Sequence, residues 1–394
     1  MSKKPGTVRE YAKVVAVTGA LTGAAAAFVP SGISFNENRI IEGEPVSLVV
    51  GLGAWGWVIV GVWIAAALVA LSPLPDRVRG NVATLLGGAA PVLMLWAAGA
   101  AAAAWVQQSS DIARTSLLWA SWLSLFASYV VIFAATAWLA PGWRRGLLTY
   151  LPVIGVIALA LTGRLSQLSV ALEYANNADD FAVQLRLHLA YVAGAVSVGL
   201  VLGLALGLLA HRKRAFEPVV FGTLNVLQVF PTLAFIGLMY PVLSGLSDRF
   251  AVFERLGVRG VGWAPVIIVL SAYAVYPIAR NTYTALTSLD GGVLDAARGV
   301  GMGRTRLLLE VELPLALPVI VAGLRVALVQ TTAGAIVAGL IGGGGLGTFV
   351  FLGAAETATD LILLGVIPIM VLALFFDRSA LALQRALQPW DTKR

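Results

Sequence analysis

The stretch from Leu294 to Pro318, LDAARGVGMGRTRLLLEVELPLALP, is a polar, arginine-bearing insert in an otherwise strongly apolar chain. Between Ser288 and Pro314 the apolar run stops without becoming loop-like. Val293, Leu294 and Ala297 share one helical face, and Leu307, Leu308 and Val311 mark a second amphipathic piece. Gly299, Gly301 and Gly303 lie between them, where glycine allows a sharp turn. The spacing predicts helix, turn, helix across a membrane face, with Arg298, Arg304 and Arg306 in water. Pro314 and Pro318 then restart a membrane helix, since proline is tolerated in a first turn. Such a short rigid element can fit a groove in a partner and pass its motion to the adjoining spans.

Around this insert the chain is 59% apolar and only 12% charged, with a mean hydropathy of +0.88. Soluble domains carry about 25% charged residues, so half that value leaves too little polar surface to cover a globule. The composition implies an all-α polytopic membrane protein. The net charge of +7 comes from basic residues scattered in short interhelical loops, which fits a positive-inside bias and not nucleic-acid binding. There is no cysteine, and His188 and His211 are too sparse for a metal site or a catalytic dyad.

A bilayer core of about 30 Å needs about 20 apolar residues in helix. Ten segments qualify: 14–30, 46–71, 82–105, 117–140, 147–163, 187–210, 219–243, 262–286, 316–341 and 361–377. Strands are not expected. With the N-terminus inside, the cytoplasmic segments hold eighteen Lys/Arg against seven outside, while Arg280 and Arg325 fall within spans. That orientation places the insert and both termini in the cytoplasm. It also requires the first span, behind Lys3, Lys4, Arg9 and Lys13, to be retained and not cleaved as a signal peptide. Residues 1–180 read as a membrane region of about five Ala/Trp-rich helices with no assignable motif. Its longest external loop is 164–186, carrying Glu173, Asp179 and Asp180. Residues 181–394 hold five Pro- and Gly-rich helices and the insert, 288–316. No internal repeat is evident, which disfavours common secondary-transporter architectures.

The insert reads Asp295-Ala296-Ala297, three residues, Gly301, nine residues, Val311, one residue, Leu313-Pro314. This pattern resembles the cytoplasmic loop by which membrane subunits of binding-protein-dependent ABC importers grip their ATPase. Asp295 replaces the usual Glu and Val311 the usual Ile. RNTYTALTSLD from Arg280, GMGRTRLLLEVELPLALPVIVAGLRVA from Gly301, LIGGGGLGTFVF from Leu340 and DLILLGVIPIMVLALFFD from Asp360 are similar to permeases for glycine betaine, choline and related osmoprotectants. LQVFPTLAFIGLMYP from Leu227 resembles a core helix of the same group. The resemblance covers about half the protein. It implies a five-helix type I importer permease core of the methionine-importer kind, in a bacterial inner membrane. It also implies ATPase subunits that bind ATP and Mg, a periplasmic or lipid-anchored binding protein, and a second permease copy or a shorter paralogue. No cofactor or metal is expected on this chain, and lipid but no nucleic acid is expected around it.

Several residues are candidates for the pathway. Asn225, Gln228, Gln330, Thr331 and Thr332 are polar groups within spans that either tie helices together or line water. Phe230, Tyr240, Tyr273 and Tyr276 could offer π-faces to a quaternary ammonium, or simply pack. Arg325 is an intramembrane charge, expected to face the cleft between permeases or to cap carbonyls near a cytoplasmic gate. The GGGGLG loop, 342–347, lacks the Lys-Ser/Thr of a phosphate loop and reads as a tight external re-entry. HRKR from His211 reads as a topology anchor. An ion-coupled secondary transporter would need carboxylates mid-membrane, and none is securely placed there. An intramembrane protease lacks a buried base if His188 lies at an outer edge.

Overall fold

The computed structural model describes residues 5–388 apart from 40 and 42. The chain divides into two compact units after Asn176. Among the described residues, eight helices are long and apolar enough to cross a bilayer, and one bent pair adds a ninth crossing if taken together. A further helix, α1 (Pro5–Ala26), is too polar to meet that test.

In the first unit, α1 is followed by β1 (Ile33–Asn36), β2 (Pro45–Val46), α2 (Leu48–Gly51) and α3 (Ala54–Leu71). Then come α4 (Asp76–Gln108), β3 (Arg114–Leu117), α5 (Trp119–Ala135), α6 (Trp143–Leu161) and α7 (Ser169–Asn176). Ala12, Ala16, Ala20 and Ala24 recur every fourth residue and are all buried. This small-residue stripe lets α1 approach α3 and α5 closely. Gly23 leaves room for the Trp63 ring, whose indole N–H donates to Ser124 Oγ at 3.3 Å. Pro91 interrupts α4. Having no N–H, it orphans the carbonyl four residues back, on Gly87. Ser128 of α5 donates to that oxygen at 2.5 Å.

Two sequence expectations fail here. A three-stranded antiparallel sheet, ordered β2-β1-β3, forms where strands were not expected, with Ile33 opposite both Val46 and Leu117. These segments join helix ends, so their backbone groups are not satisfied by helix and pair with each other instead. The segment 164–186 is largely helical: it contains α7 and the start of the next helix, nine residues earlier than predicted. Glu173 is buried and ion-paired with Arg114 and, at 3.2 Å, with Arg39, fixing α7 to the sheet.

The second unit starts with α8 (Ala178–Arg212), then α9 (Glu217–Val229), α10 (Thr232–Arg249), α11 (Ala251–Arg255) and α12 (Trp263–Thr287). It continues with α13 (Gly291–Gly299), α14 (Arg304–Leu307), α15 (Leu313–Gly334), α16 (Gly347–Ala355) and α17 (Thr359–Ala386). Its spine is α8 against α12. Gly199, Gly203 and Gly207 repeat every fourth residue on α8. A Cβ on them would lie 2.5 Å from Ala274 Cβ, 2.8 Å from Ile278 and 2.6 Å from the Ala279 carbonyl oxygen. Only glycine permits this approach.

The single span expected at 219–243 is two helices bent by 103° between Val229 and Thr232. Pro231 forces the preceding Phe230 out of helical geometry (φ −61°, ψ 130°), so α9 stops there. With 13 residues it is about 20 Å long, short of a bilayer core. The GGGGLG loop turns back tightly, as the sequence suggested: Gly342, Gly344 and Gly345 all take positive φ. One face of α8 holds it. Tyr191 donates to the Gly343 carbonyl, and Gln184 accepts from Gly345 N–H at 2.7 Å. His188, between them, is fully buried, with Nε2 3.1 Å from the Thr332 carbonyl oxygen. That corrects the outer-edge placement, which took α8 to begin near residue 187.

Candidate functional site

Two constellations stand out in the second unit. The first is the insert. Asp290 caps α13, its carboxylate accepting from Gly292 N–H at 2.7 Å. The helix ends in a paired-hydrogen-bond cap: Met302 N–H donates to Ala297 O at 3.2 Å and Gly301 N–H to Arg298 O at 2.9 Å. Gly301 takes the left-handed φ of +85° that this motif requires. The chain re-enters helix at Arg304 and runs through a π-helical segment, Leu308–Glu312, into α15 without a break.

Asp295, Ala296, Gly301 and Pro314 are exposed, Ala297 is buried, and Val311 and Leu313 are half-buried. Asp295 pairs with Arg298 at 2.8 Å and Arg306 with Glu310 at 2.9 Å, both in solvent. Val293 lies one turn before Ala297 on the same face of α13 but is not buried with it. It is exposed, as are Val300 at 77% and Leu309 at 58%. These apolar tips were missed; the readable signal for Val300 is a branched apolar side chain inside a glycine-rich turn.

The second constellation forms where α9 breaks. Pro277 lies within α12 and orphans the carbonyl of Tyr273, four residues back. The Gln228 side-chain amide donates to that oxygen at 2.7 Å. In return, Tyr273 Oη donates to the Phe230 carbonyl at 2.7 Å, at the break itself. Gln330 of α15 reaches Gln228 Oε1 at 3.4 Å. A helix broken at Pro231 and a continuous one containing Pro277 therefore satisfy each other's free carbonyls. Asn225 lines an open groove of about 480 Å³ with Val226, Val229, Phe230 and Pro231.

Of the six pathway candidates, the structure gathers Gln228, Tyr273 and Gln330 at the break and sets Asn225 on the groove beside it. Tyr273 is no open π-face: it is buried, with its ring edge-on to Phe235 at 6.2 Å. Tyr276 packs lower down against the Val220–Phe221–Leu224 cluster. Arg325 neither joins the cluster nor caps carbonyls. Its Nε donates to Asp377 of α17 at 2.5 Å, both side chains half-buried. The partner was missed because α17 runs nine residues beyond the predicted end of its span, so Asp377 is a helix-interior residue.

Residues 199–389 match the family described as binding-protein-dependent transport system inner membrane component. Residues 12–171 match that described as ABC transporter permease YehY, N-terminal domain. The carnitine transport permease protein OpuCB of Listeria monocytogenes is 35% identical over 55% of this chain and 92% of its own length. The osmoprotectant import permease protein OsmW of Salmonella typhimurium is 35% identical over 51% and 89%. The choline transport system permease protein OpuBB of Bacillus subtilis is 32% identical over 52% and 88%. The MetNI methionine ABC transporter, solved in inward facing conformations, aligns with a TM-score of 0.48 at 19% identity, over 54% of this chain and 98% of that one. Relatives that align over nearly their whole length place this chain in the family of binding-protein-dependent transport system inner membrane components.

Proposed function

We propose that this chain is the membrane pathway of an ATP-driven importer for quaternary-ammonium osmoprotectants such as glycine betaine, choline or carnitine. The observation that carries this is the alignment of permeases named for such solutes over 88–92% of their own lengths. A binding protein on the outer face delivers the solute, and a second permease, identical or shorter, completes the pathway. The chain lies in the inner membrane with both termini cytoplasmic. ATP and Mg are held by separate ATPase subunits.

In this reading the insert is the docking element. Asp295, Ala296, Gly301 and Pro314 present its outer surface, Ala297 is buried and Val311 half-buried, and Leu313 packs against the Ala285–Leu286 cluster of α12. The continuous run from α14 through the π-segment into α15 supports a lever role, because a rigid helix transmits displacement along its length. α15 carries Gln330 to the α9 break and Arg325 to α17, so motion of the insert reaches both. Discontinuous helices with side-chain-satisfied carbonyls are characteristic of irregular backbone beside a membrane cavity, which supports the groove at Asn225 as part of the path.

Reconstituted with its ATPase and binding protein, the chain is expected to accumulate labelled glycine betaine or choline only with Mg-ATP inside the vesicles. Uptake that persists without the ATPase, or that follows an imposed ion gradient, would overturn the assignment.

A further inference from the structure

Tyr273, Tyr276, Arg280 and Tyr283 lie at i, i+3, i+7 and i+10 on α12, along one face of the helix. That face meets α9 running the other way, with Gln228 at Tyr273 and Phe221 at Tyr283. The Phe221 and Tyr283 rings are 5.3 Å apart at 65°, forming a corner with two aromatic walls. The Arg280 guanidinium occupies it, its Cζ 4.9 Å from the Phe221 centroid and 6.0 Å from that of Tyr283. Arg280 is exposed and has no carboxylate partner among the described residues. Phe221 lies one helical turn from Asn225, which lines the groove.

We propose that Phe221 and Tyr283, one helical turn from the groove toward the insert, form a cation–π subsite for a quaternary ammonium group, with the Arg280 guanidinium as its resident stand-in that covers the buried Phe221 ring. A quaternary ammonium has no N–H to donate and is weakly hydrated, so aromatic faces are the side chains suited to it. Guanidinium shares that weak hydration and stacks on the same faces. An empty corner would retain cargo at the exit. A tethered cation that must be displaced keeps the subsite weak and favours release. The proposal rests on the reading above, that the cargo is a quaternary amine.

The test is equilibrium binding of choline, and of its neutral tert-butyl analogue in which carbon replaces nitrogen, to the purified full chain. Arg280→Gln should tighten choline binding roughly fivefold, the scale of one cation–π contact, and leave the analogue unchanged. Arg280→Lys, which keeps a cation in place, should bind choline as the parent does. Adding Phe221→Leu to Arg280→Gln should remove the gain. Choline bound no more tightly by Arg280→Gln, or an equal gain for the neutral analogue, would overturn the subsite and leave Arg280 as a packing residue. Thermal melting of each variant identifies any that misfold, and Arg280→Lys provides a charge-conserving comparison. Uptake by the reconstituted complex is measured alongside. A complex that moves no quaternary amine while Arg280→Gln still gains affinity would sink the functional reading and not the subsite.

Discussion

Gly301 takes φ +85° with open space where a Cβ would point, so its substitution is strained by backbone conformation alone. Gly301→Ala is expected to cost the turn about 1 kcal/mol and leave membrane insertion intact. If the insert is the proposed ATPase contact, a bulky residue there should also obstruct it, separating ATP hydrolysis from uptake in the reconstituted complex. Normal coupling in Gly301→Leu would count against the insert as the ATPase contact. Gln228 serves a different need, supplying the hydrogen bond that Pro277 cannot give to Tyr273. Gln228→Leu leaves that carbonyl bare, a loss of about 1–3 kcal/mol, readable as a lower melting temperature. Pro277→Ala restores a backbone donor in α12, so in that background the Gln228→Leu penalty should shrink. An unchanged penalty would show that Gln228 acts on something other than the proline gap.

Between elements, glycine spacing and one ion pair set the geometry. Gly203→Leu drives a side chain into Ile278 at the α8–α12 seam, and overpacking of this kind costs about 1–3 kcal/mol. Reduced yield of folded protein is the expected result. The Arg325–Asp377 pair ties α15, the helix leaving the insert, to α17. Removing one charge strands the other in a half-buried site, so Arg325→Leu and Asp377→Leu should each lower transport. The double change to Leu should recover part of it. Uptake untouched by either single change would mean that α15 moves without α17.

For the molecule as a whole, orientation is testable because the chain contains no cysteine. Single cysteines at Thr305, in the insert, and Ser110, beyond the end of α4, should label from opposite sides of the membrane, Thr305 from the cytoplasm. Labelling of both from one side would refute the topology drawn from charge. The first unit is a built structure in its own right, with an alanine-lined α1, a short sheet and a buried carboxylate held by two arginines. Hydropathy alone sees only its spans.

Composition, the Lys/Arg bias and the spacing of Asp295 to Pro314 determined that this is a polytopic helical permease and where its insert lies. Those signals are local: apolar length fixes spans, and three glycines fix a turn whatever packs around them. Tertiary structure decided the rest. The 103° break at Phe230-Pro231 looks like uninterrupted apolar sequence, since proline is common in membrane helices and only packing shows whether a helix continues past it. Ser128 reads as an ordinary polar residue, and Gln228 as one that either ties helices or lines water, until the structure sets each against a carbonyl that a proline on another helix has orphaned. Arg325 met a carboxylate 52 residues away, and Glu173 met Arg114 59 residues away. A buried charge must find a partner, but sequence does not say which distant residue the fold will bring to it.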